Sequence, residues 1–305
     1  MAARIPRDPG VLARVCLAIA LLLTLAGRAL PFQISVDVDL VVLQAVVHDH
    51  AGHLVSDLQE RDFEIYEDGA RQSIQVFRHE DVPVTVGLIV DHSGSMRQKL
   101  VDVIEAARSF ARSSNPADQM FVVNFNEKVT LGLPAAMRFT NRTDDLERAI
   151  WATPPAGQTA LYDAIVEGLE RSRAGGPEKK VLIVISDGGD NASLRGMPEV
   201  LKKAEQSSAL IYTIGIFDQE DPDRNPDVLR RLARATGGEA FFPDRLPEIT
   251  AICERIARDI RNQYTLGYVS NTTARPGAVR NIRMIAHAEG KTGLSVRTRA
   301  SYIAQ

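Results

Sequence analysis

Residues 84–95 read Val84-Thr85-Val86-Gly87-Leu88-Ile89-Val90-Asp91-His92-Ser93-Gly94-Ser95. The first seven are nearly all apolar, with no alternation of polar and apolar positions. A strand of that kind is buried on both faces, as in a parallel sheet covered by helices. A polar, hydroxyl-rich turn ends the run abruptly. Further along the chain, strands alternate with amphipathic helices. The pattern predicts helices at 99–113, 143–151, 160–173, 198–207, 226–236 and 246–261, with strands at 121–125, 181–186, 210–217 and 240–242. Alternation sustained over about 180 residues predicts an α/β domain with a doubly wound, mostly parallel sheet, spanning 82–262.

On either side of that domain the pattern becomes all β. In the N-terminal segment, 33–80, Ile34, Val36, Val38, Leu40 and Val42 alternate strictly, which predicts a half-buried strand. Strands are also expected at 63–66 and 73–77, separated by the Asp68-Gly69 turn. The C-terminal segment, 263–305, predicts strands at 264–269, 279–287 and 294–302. Each end is too small to build a core of its own. They are therefore expected to meet as one small β-sandwich-like domain with the α/β domain inserted into it.

The chain has 305 residues, 45% hydrophobic and 25% charged, the balance of a globular protein. Arg4, Arg7 and Arg14 precede an apolar run at 15–26, followed by Gly27-Arg28-Ala29, the layout of a secretory signal peptide at 1–29. About twelve apolar residues are too few to cross a hydrocarbon layer of roughly 30 Å. Removing 1–29 takes away four arginines and one aspartate, leaving 32 basic against 38 acidic residues. That balance favours neither nucleic acid nor an anionic membrane surface. Only Cys253 remains, so the mature chain has no intramolecular disulfide, and its place in an Ile252–Ile256–Ile260 pattern predicts a buried thiol. A secreted or periplasmic protein with no membrane span after signal cleavage is expected.

In open α/β sheets ligands bind outside the carboxyl ends of the strands. Asp91, Ser93 and Ser95 follow the first strand, Asp187 follows the strand at 181–186, and Thr159 opens the helix at 160–173. All are expected on one rim. Two carboxylates and three hydroxyls are hard oxygen donors with no imidazole or thiolate, a set suited to a small hard cation such as Mg²⁺, with Mn²⁺ or Ca²⁺ as alternatives. Ser93 and Ser95 are two apart, so both hydroxyls can face the ion while His92 and Gly94 point away. Few direct carboxylates leave the ion electrophilic, so an acidic side chain from a protein ligand can complete its coordination.

At these positions the chain resembles the von Willebrand factor type A family, whose metal-ion-dependent adhesion site reads Asp-x-Ser-x-Ser, then Thr, then Asp. The resemblance covers residues 84–261 and implies that Asp91, Ser93, Ser95, Thr159 and Asp187 form the metal site of an adhesion or binding module without catalytic activity. The flanks, including Phe63-Glu64-Ile65-Tyr66-Glu67-Asp68-Gly69 and Gln263-Tyr264-Thr265-Leu266-Gly267-Tyr268, are similar to a bacterial, acidobacterial-type subgroup.

Other readings compete. Asp91 after the first strand could be the nucleophile of a Mg²⁺-dependent phosphohydrolase, but the haloacid dehalogenase-like pattern needs an acid two residues later and position 93 is serine. A structural envelope component stabilised by its ion is a third possibility. Asp190 reads as a solvated loop carboxylate, His48, His50 and His53 as a polar hairpin tip, and Arg280, Arg283, Arg297 and Arg299 as the wet faces of strands. The acidic stretch 218–227 reads as a solvated loop rather than a calcium loop, since it lacks the required glycine and final glutamate.

Overall fold

A strand apolar at nearly every position must be flanked by strands and covered by helices on both sides, and the segment Val84–Asp91 meets both conditions. All eight of its residues are buried. The computed structural model describes residues 40–217, 224–272, 275 and 277–304. The first strands are β1 (Leu40–His48), β2 (Phe63–Glu67), β3 (Ala70–Gln72) and β4 (Ile74–Arg78). The α/β part follows as β5 (Val84–Asp91), α1 (Leu100–Ser113), β6 (Gln119–Phe125), β7 (Val129–Leu131), α2 (Thr143–Trp151), α3 (Leu161–Ser172), β8 (Lys179–Ser186), α4 (Met197–Gln206), β9 (Leu210–Gly215), α5 (Pro226–Thr236), β10 (Ala240–Phe241) and α6 (Glu248–Arg261). The chain returns to β structure as β11 (Tyr264–Val269), β12 (Val279–Ala286), β13 (Ser295–Arg297) and β14 (Ser301–Ile303).

The central sheet has the order β10-β9-β8-β5-β6-β7, parallel except at β7. The helices form where apolar residues recur every three or four positions. On α1 these are Leu100, Val103, Ile104, Ala107 and Phe110, all buried. The start of α5 is set by Asn225, whose side chain accepts the Val228 N–H, and by Pro226. It stops at Gly237, which adopts the left-handed conformation at φ 84°. From β5 the chain moves first to β6 on one side and later to β8 on the other. The order therefore reverses at β5, and a crevice opens at the carboxyl ends of β5 and β8.

The two chain ends build two antiparallel sheets, ordered β13-β1-β11-β4 and β14-β12-β2-β3. Leu43, Ala45 and Val47 of β1, Phe63 and Ile65 of β2, Tyr264 and Leu266 of β11, and Ile282 and Met284 of β12 share one apolar core. The expected inward face of the first strand is reversed. Leu40 and Val42 are each 46% exposed, whereas Leu43, Ala45 and Val47 are buried. Past residue 42 the even positions include Gln44 and His48, while the odd positions stay apolar, so the odd parity supplies the longer buried face. Residues 34–39 lie outside the described residues. The expected strand at 294–302 is two strands in different sheets, β13 against β1 and β14 against β12. The bend between them is anchored by Thr298, whose hydroxyl donates to the Gln44 carbonyl, and by Arg299, whose guanidinium reaches the Glu205 and Ser207 carbonyls.

Three of the four arginines expected on wet strand faces are instead engaged inside. Arg280 pairs with Glu67 and Arg297 with Asp259 and Glu239, while Arg299 holds the end of α4. Only Arg283 is exposed. His48 lies 3.6 Å from Asp259 rather than at a hairpin tip, and Asp49 forms the turn by accepting the Ala51 and His53 N–H groups. Cys253 is buried, which pushes its thiol up to about 12. Among the described residues no helix is long and apolar enough to cross a membrane.

One buried carboxylate joins the two chain ends. Glu67 is fully buried and accepts hydrogen bonds from Tyr268 at 2.6 Å, Tyr302 at 3.0 Å and Ser270 at 2.6 Å, with Arg280 as ion-pair partner. Burial opposes its ionisation, but these donors outweigh it and hold Glu67 at about 2, below its ordinary 4.5. A depressed carboxylate stabilises the fold above its unfolded pKa and loses that contribution as pH falls toward the folded one. Glu67→Gln should therefore cost on the order of 3 kcal/mol at pH 7. The cost should shrink between pH 4.5 and 2, which urea denaturation at a series of pH values will measure; a deficit independent of pH would refute the assignment.

Candidate metal centre

The rim at the switch point is assembled from three loops. The end of β5 places Asp91, fully buried, beneath a turn in which the Ser93 N–H donates to Asp91 Oδ1 at 2.7 Å. Asp91 Oδ2 accepts the Ser186 hydroxyl at 2.7 Å, which ties the ends of β5 and β8 together. Ser93 Oγ and Ser95 Oγ lie 3.1 Å apart, and the Ser95 hydroxyl donates to Asp187 Oδ2 at 2.8 Å. A continuous chain of polar atoms thus runs from Asp91 through both serines to Asp187.

Thr159 is brought to the same rim through its backbone. The Gly94 N–H donates to the Gly157 carbonyl at 3.2 Å and the Ala156 N–H to the His92 carbonyl at 2.9 Å. The Thr159 N–H donates to Asn191 Oδ1 at 2.9 Å, and its carbonyl accepts the Asn191 and Ala192 N–H groups. The second loop is thereby fastened to the first and the third. Gly157, at φ 78°, packs against the end of the Glu127 side chain, and that carboxylate accepts the Gln158 N–H. Gly188, at φ 81°, is pressed against the backbone carbonyl of Asn225, which leaves no room for a Cβ, and Asp187 Oδ1 accepts the Gly189 N–H at 3.1 Å. At Gly188 only glycine meets both demands, a positive φ and no side chain, and at Gly157 the positive φ favours it.

The electrostatics of this rim favour a cation. Burial raises Asp91 to about 6, and the neighbouring Asp187 carboxylate pushes in the same direction; hydrogen bonds from Ser186 and Ser93 only partly offset them. No cationic side chain is among the strongest influences on it. Two buried carboxylates that raise each other's cost of ionisation are an arrangement that a bound dication relieves. Among the described residues no group of three or more His, Cys, Asp or Glu side chains is placed to hold a metal ion, and the donors at this rim are hydroxyls beside a carboxylate pair. That set fits a small hard ion. His92 is turned inward as expected, Nδ1 lying 3.0 Å from the Val90 carbonyl and Nε2 2.9 Å from the Ile150 carbonyl; burial lowers its pKa.

The model of the von Willebrand factor type A domain matches residues 86–255. The chain belongs to that family. Similar solved structures include the von Willebrand factor type A protein from Catenulispora acidiphila, 14% identical over 80% of this chain and 75% of that one, with a TM-score of 0.53. The vWF domain of the type V pili tip protein Mfa5 from Porphyromonas gingivalis is 15% identical over 59% of this chain and 95% of its own, with a TM-score of 0.50. Proximal thread matrix protein 1 from the mussel byssus, in a form with a zinc-occupied MIDAS motif, is 19% identical over 60% of this chain and 48% of its own, with a TM-score of 0.49. No curated protein matches the chain in sequence.

Several contributors to this A-domain rim escape a motif-based reading. Ser186 is the one hydroxyl in the apolar run of β8, and its position just before Asp187 is the signal that could have found it. Asp190 is a cap rather than a solvated carboxylate, accepting the Tyr162 N–H of α3 at 3.2 Å and the Ser193 hydroxyl at 2.6 Å. Asn191 has no local signature; only the fold brings it to Thr159. The stretch 218–223, read as a solvated loop, lies outside the described residues.

These values set a pH dependence. With no ion bound, Asp91 sits at about 6 against an ordinary 3.8, so ionising it costs stability as pH rises from about 4 to 6. A dication removes that cost and competes with the proton. Mg²⁺ at a hundred times its Kd should stabilise the protein by about 2.7 kcal/mol at pH 7.5. The melting-temperature increase should fall away below pH 6 and vanish in Asp91→Ala and Asp187→Ala. Calorimetric melting scans at pH 5, 6 and 7.5 check this, and a Mg²⁺ shift unchanged in Asp187→Ala would contradict it.

Proposed function

We propose that this A-domain protein is an exported, divalent-cation-dependent binding module. Asp91, Ser93, Ser95, Thr159 and Asp187 hold one Mg²⁺, and an acidic side chain of a protein ligand completes the ion's coordination. The observation that carries this reading is the buried Asp91–Asp187 pair, linked by two serine hydroxyls at the switch point, with no cationic side chain among the strongest influences on Asp91. The ion supplies an electrophilic position to which a carboxylate binds. The protein's own groups supply the preformed cradle. The Ser186 hydroxyl, the Gly157 carbonyl and the Asn191 amide fix the three loops before any ligand arrives, so little ordering cost falls on binding.

The α/β domain at 82–262 carries the site, and 33–80 with 263–305 form its mount. The chain works outside the cytoplasm, secreted or periplasmic, after loss of residues 1–29. Mn²⁺ or Ca²⁺ can replace Mg²⁺ on this donor set. An ion that only staples the fold is disfavoured, because hydrogen bonds already hold the loops. A phosphohydrolase is disfavoured too, because Ser93 stands where a second acid is needed and the Lys99 ammonium donates to the Ile216 carbonyl.

The test is capture of envelope proteins from the source organism on the immobilised mature protein, in Mg²⁺ and in chelator. A partner retained in Mg²⁺ and lost both in chelator and with Asp91→Ala is expected. Equal retention under all three conditions would reject the proposal, as would hydrolysis of p-nitrophenyl phosphate that Asp91→Asn abolishes.

A further inference from the structure

Beside the metal rim lies a cavity of about 660 Å³ that the metal site does not use. It opens from Gly94 and Ser95 and extends along Arg97, Gln98 and Lys99 to Phe217, Pro243, Asp244 and Leu246. Because Ser95 belongs both to this lining and to the bridge toward Asp187, a ligand group on the ion is directly next to the cavity. Its far wall is apolar: Phe217 is stacked on Phe242 with ring centroids 5.5 Å apart, and Pro243 and Leu246 adjoin them.

The charges in the lining are not equivalent. The Arg97 guanidinium is turned to the Pro155 carbonyl at 3.3 Å, and the Lys99 ammonium, largely buried, donates to the Ile216 carbonyl at 3.1 Å. Asp244 is exposed; its backbone N–H is engaged with Glu248, but its carboxylate has no hydrogen-bond or ion-pair partner among the described residues. The neighbouring Arg245 is paired with Glu248 instead. The cavity thus offers aliphatic and aromatic surface ending at a carboxylate with no ion-pair partner among the described residues. A lysine or arginine side chain has the matching form, a long apolar stem with a cationic head.

We propose that this cavity is a second subsite that takes a lysine or arginine side chain of the same protein ligand whose carboxylate binds the ion. The stem lies along Phe217, Pro243 and Leu246, the head pairs with Asp244, and the ligand is recognised by an acidic and a basic residue close together. This rests on the metal-site reading above.

The probe is a library of random hexapeptides with one fixed aspartate, selected in Mg²⁺ on the full mature protein. Retained peptides should be enriched in Lys or Arg near the aspartate. Asp244→Asn should weaken the best lysine-containing peptide roughly fivefold, as expected for a partly exposed ion pair. Its alanine counterpart should be unaffected, and Asp244→Lys should shift the enrichment toward acidic residues. Retention that needs Mg²⁺ and the fixed aspartate, but shows no basic enrichment or the same enrichment in Asp244→Asn, would overturn the subsite and leave the metal-site reading standing. Retention of no peptide in a Mg²⁺-dependent manner would overturn both.

Discussion

The Asp91–Asp187 carboxylate pair is the constraint around which this rim is built. Like charges brought together away from water repel strongly, and no lysine or arginine is among the strongest influences on Asp91. The protein uses dipoles instead: the Ser186 hydroxyl and the Ser93 N–H on Asp91, and the Ser95 hydroxyl and the Gly189 N–H on Asp187. Dipoles hold the oxygens in place but leave the negative charge uncompensated. That residual charge gives the site its demand for a cation. A salt bridge to an internal base would have satisfied the aspartates and ended their usefulness.

The sheet order places this pair. Reversal at β5 leaves the carboxyl ends of β5 and β8 without a crossover helix above them, so the loops from both strands share one crevice. The third loop is not aligned by the sheet and has to be tied in by contacts of its own. Gly157, Glu127 and Asn191 provide them, through a positive φ, a carboxylate on the Gln158 N–H and an amide on the Thr159 N–H. The same loops recur in the capping of α3, where Asp190 and Ser193 serve backbone N–H groups that the helix's own N-cap residue, Ala160, leaves unserved.

Around the A domain the two chain ends follow a different logic. Their sheets share an apolar core, and their largest buried polar cluster is assembled from residues far apart in the chain. Glu67 collects Tyr268, Ser270, Arg280 and Tyr302, each about two hundred or more residues away in sequence. On α6, Asp259 meets Arg297 of β13, so the last helix of the A domain is joined by an ion pair to the flanking sheet. Burial raises Asp259 to about 6 even so, because desolvation outweighs the nearby arginines.

The sequence by itself determined the fold class and the helix and strand alternation, and it singled out Asp91, Ser93, Ser95, Thr159 and Asp187 as one candidate donor set, because hydrophobic periodicity and hydroxyl–carboxylate spacing are local signals. It also showed that the two β-rich ends had to meet, since neither could bury a core alone. Which face of β1 turns inward, where the chain changes sheet near Thr298, and that Arg280, Arg297 and Arg299 are engaged inside were decided only by the tertiary structure. An alternating run such as that from Ile34 to Val42 specifies two faces but not which of them finds a partner. An arginine on a strand is wet or buried according to a carboxylate or carbonyl that arrives from far along the chain. The ties from Ser186, Glu127 and Asn191 have the same origin: each depends on two loops meeting, a property of the sheet order that no single stretch of sequence contains.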